Sequence, residues 1–171
     1  IQQLEDGKSI ILLGPRGVGK QRVINEAQSQ LTKSHEFVVR LRCDSPDSQF
    51  VEDALVSDIR RQMPSLSTHT ELGSGLKGTL QEIRSFLETN SVRIVFLVSN
   101  LDALPLATAR RLLIAFRELK SMGGAGLGSF GLLVTGSADL APLVYGADSE
   151  FTPDHQHIIQ GLDHDFFCGQ A

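Results

Sequence analysis

The chain has 171 residues, 41% of them apolar and 21% charged, with a formal net charge of −4. That length holds one α/β domain with a single sizeable core, and the composition excludes intrinsic disorder. No apolar run reaches the ~20 residues of a membrane helix, so no membrane partner is expected.

The distribution of charge is uneven. All 16 Lys and Arg residues lie between Lys8 and Lys120, and six carboxylates but no Lys or Arg follow from Ser121 to Ala171. A nucleic-acid surface needs clustered positive charge, so DNA is expected only through partner domains. Cys43 and Cys168 have no metal-ligand or redox spacing and read as free thiols. With no signal-peptide pattern at Ile1, an intracellular location, cytoplasmic or nuclear, is expected. Residues 1–171 are expected to form a single domain, a piece of a longer protein.

In chain order, Ser9 to Leu13 is a short apolar run stopped by glycine, the pattern of a buried strand. A glycine-rich loop and a helix from about Gly19 to Lys33 follow. Phe37 to Arg42 predicts a second strand near a sheet edge, with Arg40 and Arg42 either contacting a partner or, as is usual at strand ends, solvated. Val51, Leu55, Ile59 and Met63 mark one face of an amphipathic helix. Pro64 to Gly75 reads as a loop, and Leu76, Leu80, Ile83 and Leu87 as the stripe of the next helix.

Val92 to Val98 is the most apolar strand, with the near-continuous Val/Ile/Leu/Phe content of a parallel strand buried on both faces. Pro105 suits a helix start, and Ala109, Leu112, Phe116 and Leu119 mark that helix's buried side. Met122 to Ser129 is a glycine-rich connection, Gly131 to Thr135 a fourth strand and Gln156 to Gly161 a fifth. Strands alternating with helices imply βαβ crossovers and a parallel sheet covered on both faces.

Gly14-Pro15-Arg16-Gly17-Val18-Gly19-Lys20 fits G-x-x-x-x-G-K between a predicted strand and a predicted helix. Glycines let successive backbone N–H groups point at a phosphate, and the helix N-terminus adds its positive dipole end. Gly14 through Lys20, with Gln21 and Arg22, are the candidate nucleotide-binding residues, and ATP or ADP is the expected ligand. The motif wants Ser or Thr after the lysine to ligate Mg²⁺; here it is Gln21.

P-loop ATPases usually end a buried strand with an Asp that holds Mg²⁺. Ser99 stands in that position here, and Asn100 follows it. An amide takes no proton at neutral pH, and general-base catalysis is worth typically ~10²–10⁴-fold, so hydrolysis is expected to be impaired. Mg²⁺ is expected to matter only modestly for binding, Gln21 and Ser99 being its degenerate positions. Asp102, three residues beyond Ser99, is either a solvated turn aspartate or a substitute metal ligand.

The phosphate loop, the segment Asn100-Leu101-Asp102-Ala103-Leu104 and the stretch from Gly131 to Phe151 together resemble AAA-like domains of the STAND class, relatives of origin-recognition-complex-type ATPases. The resemblance runs from about Gly7 to Leu162. It implies an α/β, three-layer P-loop NTPase core with a five-stranded parallel sheet, followed by a helical lid that lies outside this chain. By position it places Ser137 near a γ-phosphate sensor; a helix N-cap is the other reading.

Asn100, Asp102 and Ser137 are thus the candidate catalytic residues. AAA-type ATPases also use arginines beyond the sensor strand, and none follows Arg117. Arg110 and Arg111 are either a trans-acting finger or solvated flank. His155 and His157, with Asp154 and His164, have one-face spacing but no convincing Cys or Glu partner for a metal.

The function expected is a nucleotide-dependent regulatory switch or scaffold with weak or no hydrolysis, attached to other domains or subunits. The alternatives are an ATPase completed by a lid or neighbouring protomer, a replication-initiator-like DNA-binding ATPase subunit, and an interaction fold that binds no nucleotide.

Overall fold

The apolar runs of the sequence become one parallel sheet. The computed structural model describes residues 2–33, 37–43, 51–64, 75–90, 92–121, 130–144 and 155–158. Strands β1 (Ser9–Leu13), β2 (Phe37–Arg42), β3 (Ile94–Ser99), β4 (Phe130–Gly136) and β5 (His155–Ile158) pair in the order β2-β3-β4-β1-β5. Every pairing is parallel. Four strands make up the body of the sheet, and β5 adds four residues beside β1, with His155 opposite Ile10 and His157 opposite Leu12.

Side chains alternate across a strand, so each buried strand feeds two cores. On one face Ile11, Leu13, Phe96, Val98, Leu132 and Val134 pack beneath α3 (Val51–Gln62), α4 (Leu76–Asn90) and α5 (Leu106–Ser121). Phe96, Phe116 and Phe130 meet there, their ring centroids 5.2 to 5.9 Å apart. On the other face Ile10, Leu12, Val95, Leu97 and Leu133 meet Ile24, Ala27 and Leu31 of α2 (Lys20–Leu31). The molecule is therefore three layers, helix on sheet on helix.

Sequence periodicity does not signal α1 (Gln2–Glu5), a single turn whose Leu4 is buried with the α2-side core. It crosses the start of β4, where a methyl added to Gly131 would stand 2.4 Å from the Leu4 carbonyl oxygen. Glycine is required there by close approach rather than by backbone angle. Strand β3 begins two residues later than the apolar run and carries Ser99 inside it, fully buried. The fifth strand lies one residue earlier than expected, and its expected end at Gly161 falls outside the described residues. The expected connection Met122–Ser129 and most of the loop after Pro64 also lie outside them.

Strand β2 forms one edge of the sheet, as expected, but Arg40 is not a solvated arginine. Its guanidinium donates to Gln28 Oε1 at 2.7 Å and Asn25 Oδ1 at 2.9 Å on α2. The Arg40 backbone N–H donates to Gln62 Oε1 at 2.7 Å, and Gln62 Nε2 returns a bond to the Arg40 carbonyl at 2.8 Å. One glutamine side chain thus occupies both of Arg40's ladder positions on this edge.

Candidate functional site

All five strands run the same way, so their C-terminal ends share one rim, where open α/β sheets place ligands. At that rim Gly14 continues the ladder, its N–H donating to the Gly136 carbonyl of β4 at 3.2 Å. The loop then turns on two glycines of left-handed backbone, Gly17 at φ 82° and Gly19 at φ 92°. A methyl added to Gly17 would meet nothing within 4 Å, so its backbone angle and not crowding demands glycine. Val18, between them, is buried and anchors the loop, whereas Pro15, Arg16 and Gly17 are exposed.

Gly19 caps α2: its carbonyl accepts the Arg22 and Val23 N–H groups at 2.9 and 3.2 Å, and helix geometry leaves the amides of Lys20 and Gln21 ahead of them without an acceptor in the helix. They face the rim together with the positive end of the helix dipole. Lys20 is the first helical residue. Its ammonium donates to the carbonyls of Gly14 at 2.5 Å and Pro15 at 2.7 Å, so it is folded onto the loop that it would serve.

A cleft of about 530 Å³ opens beside the loop, within the ~300–1,000 Å³ range of small-ligand sites. One wall is Arg16, Gly17, Gly19, Lys20 and Gln21; the other is Asn100, Asp102 and Ala103. The second wall follows from a single unusual residue. Asn100 leaves β3 with φ 58° and ψ 44°, the only positive-φ residue other than glycine among those described. Asparagine tolerates that conformation. The chain then folds into a short 3-10 turn, Leu101–Ala103, whose Leu101 is buried while Asp102 is half-buried at the cleft.

No family model matches the chain, and none of the curated proteins matches it. Among solved structures, the crystal structure of Cdc6p from Pyrobaculum aerophilum matches at TM-score 0.58 and 15% identity, over 93% of this chain and 41% of that one. The structure of C. elegans PCH-2 matches at TM-score 0.46 and 13% identity, over 95% of this chain and 40% of that one. The first likeness joins the strand–loop–helix geometry above. The fold is a P-loop NTPase core. This chain spans less than half the length of either solved structure.

Within the P-loop NTPase core, the residues singled out by sequence separate into two groups. Arg16, Gly17, Gly19, Lys20, Gln21, Asn100 and Asp102 come together around the cleft. Ser99 does not join them: it is fully buried, and its hydroxyl donates to the Leu41 carbonyl of β2 at 3.3 Å. Ser137 holds the N-cap position of a second 3-10 turn, Ala138–Leu140, and its hydroxyl donates to Asp139 Oδ2 at 3.1 Å. It does not line the cleft. Arg22 is exposed on the first turn of α2, outside the cleft lining.

Arg111 is paired with Glu52 of α3 at 3.1 Å, a tie between helices on the layer opposite α2. No group of three or more His, Cys, Asp or Glu residues able to hold a metal occurs among the described residues; Asp154 and His164 lie outside them. Ala103 was not legible in the sequence, whereas Asp102 was one of its candidates, left open between a solvated turn and the site. The signal that could have found Ala103 is Asn100 itself, a residue that accepts left-handed backbone at the end of a buried strand.

Proposed function

We propose that this domain binds a nucleoside di- or triphosphate, ATP or ADP, on the loop Gly14–Lys20, and that occupancy of the loop acts as a regulatory switch or scaffold with little hydrolysis. The observation that carries the reading is the cleft beside the loop. Two left-handed glycines, the open N-terminus of α2 and Lys20 converge there at the C-terminal rim of a parallel sheet. The residues fit the ligand. The cleft has the volume, backbone donors supply directional bonds, and Lys20 supplies a compact charge. The groups that would hold Mg²⁺ in a P-loop ATPase fit less well, because Ser99 is buried with its hydroxyl bonded inside the sheet and Gln21 carries its amide oxygen on a longer side chain than the Ser or Thr the motif expects.

Weak hydrolysis follows from the second wall. Asn100 has no basic atom to accept a proton from water, which removes a contribution of typically ~10²–10⁴-fold. A domain that holds its nucleotide without turning it over converts occupancy into a population shift of whatever is attached to it. The test is calorimetric titration with ADP and ATP of the chain and of Lys20→Ala. Saturable binding lost in the variant supports the reading; equal binding by both proteins, or none by either, ends it.

A second reading, an ATPase completed by a lid or a neighbouring protomer, draws on Asp102, a carboxylate at the same cleft. Turnover by the full-length protein that vanishes in Lys20→Ala favours it over the switch. AAA-type assembly with other subunits, and contact with DNA through them, belong to the same proposal.

A further inference from the structure

One side of α2 is polar and is gripped from the edge of the sheet. Gln21, Asn25 and Gln28 stand at i, i+4 and i+7, so they lie along a single stripe of the helix. Gln21 lines the cleft, and its Nε2 donates to Asn25 Oδ1 at 3.3 Å. The Arg40 guanidinium reaches the other two from β2. Its Nη2 donates to the same Asn25 oxygen at 2.9 Å, and its Nη1 to Gln28 Oε1 at 2.7 Å. A run of hydrogen bonds thus joins a residue of the cleft to the edge strand.

What stands behind the guanidinium decides what this contact can do. Arg40 sits in the ladder opposite Leu97 of β3, and its main chain is held from the outer side by both bonds to Gln62. Gln62 Nε2 is itself tied to the Asp58 carbonyl of α3 at 3.1 Å. The fork therefore projects from a fixed base. The core residues of α2, Ile24, Ala27 and Leu31, hold the helix down on the sheet. Burial is non-directional, however, and by itself sets rotation about the helix axis loosely. A planar guanidinium that meets two acceptors one turn apart sets rotation and reach together.

The aim of α2 matters at its first turn. The amides there belong to the backbone and cannot swing toward a ligand as a side chain can, so the helix has to be aimed for them. Resting on the nucleotide reading above, we infer that Arg40 is a positioning residue for the phosphate loop: from the sheet edge it fixes the rotation of α2 and so aims the first-turn amides at the ligand. Arg40 does this without entering the cleft, whose lining does not include it.

The test compares Arg40→Met, which keeps the apolar stem, with Asn25→Ala/Gln28→Ala, which removes the acceptors from the helix side and leaves the arginine's charge in place. Calorimetry with ADP gives the affinity, and hydrogen exchange followed by NMR gives the amides of Arg22 and Val23, which donate to the Gly19 carbonyl. Both variants should lose ADP affinity by about fivefold to thirtyfold, less than the ~100-fold that misplacing a group by about 1 Å can cost. In both, exchange at Arg22 and Val23 should quicken about tenfold more than exchange in β3, the sign of local and not global loosening. Combining the two changes should add less than about twofold, because they break the same contact. Should Arg40→Met fail to fold, the helix-side variant decides alone. ADP affinity within about twofold of the unaltered chain in the folded helix-side variant, or equal quickening at α2 and β3, overturns the inference while leaving the nucleotide reading standing. An affinity loss confined to Arg40→Met assigns the effect to charge and overturns it too. Failure of the unaltered chain to bind ADP overturns both.

Discussion

Replacing Gly131 by alanine tests how the first turn of the chain is tied to the sheet. The added methyl would lie 2.4 Å from the Leu4 carbonyl oxygen, 3.2 Å from its carbonyl carbon and 3.3 Å from Val95 Cγ2. The first of these is backbone and cannot rotate aside, so α1 must retreat by about 1 Å or leave, which forfeits most of its packing. What is lost is the burial of Leu4, 2% exposed and packed in the α2-side core. A buried leucine truncated to alanine costs about 2–5 kcal/mol; at the sheet margin under a single turn of helix we expect about 2–3 kcal/mol. The assay is urea unfolding of the unaltered chain, Gly131→Ala, Leu4→Ala and the double variant. Because both changes remove the same contact, they should not add: Leu4→Ala in the Gly131→Ala background should cost less than about 1 kcal/mol. Full additivity, or a Gly131→Ala cost within about 0.5 kcal/mol of zero, would refute the reasoning.

Three shorter predictions concern the rim and the edge. Lys20→Ala should weaken nucleotide binding by about a hundredfold or more, as loss of a charge-assisted contact to phosphate requires; isothermal titration measures it, with a thermal scan as the check that the variant is folded. Gln62→Ala should uncover the Arg40 ladder positions on β2, cost about 1–2 kcal/mol for two hydrogen bonds, and raise concentration-dependent association seen by light scattering; a monomer of unaltered stability would contradict it. At Asn100, with φ 58°, valine should destabilise by more than about 1 kcal/mol and glycine by less than alanine does; the reverse order in denaturant unfolding would show that the left-handed turn is not what the residue supplies.

Much of the architecture was legible because parallel strands buried on both faces must be apolar at consecutive positions, as Ile10 to Leu13 and Ile94 to Val98 are. The loop after β1 was legible for a different reason: the phosphate chemistry proposed for it is carried by backbone, and glycine takes the left-handed angles observed at residues 17 and 19 without steric cost. Contacts between distant segments were not. The turn Gln2–Glu5 has one buried apolar residue and no period to read, and its docking is recorded only as a missing side chain at Gly131. Arg40 looked like a strand-end arginine because nothing local announces Gln28, Asn25 and Gln62 as its partners.

At the site, Ser99 and Asn100 are neighbours in sequence but diverge in space. Ser99 ends the strand with its hydroxyl tied to β2, while Asn100 reverses the backbone and delivers Asp102 to the cleft. Position in a motif located the wall; backbone conformation decided which side chain stands on it.

The central claim is that the loop after β1 holds polyphosphate. Calorimetric titration of the chain with ADP in the absence of metal addresses it most directly, since that ligand needs only the cradle and Lys20. One-to-one saturable binding, abolished in Lys20→Ala, is the expected result. No heat and no shift in melting temperature at millimolar ADP, or binding that survives loss of the lysine, would contradict it.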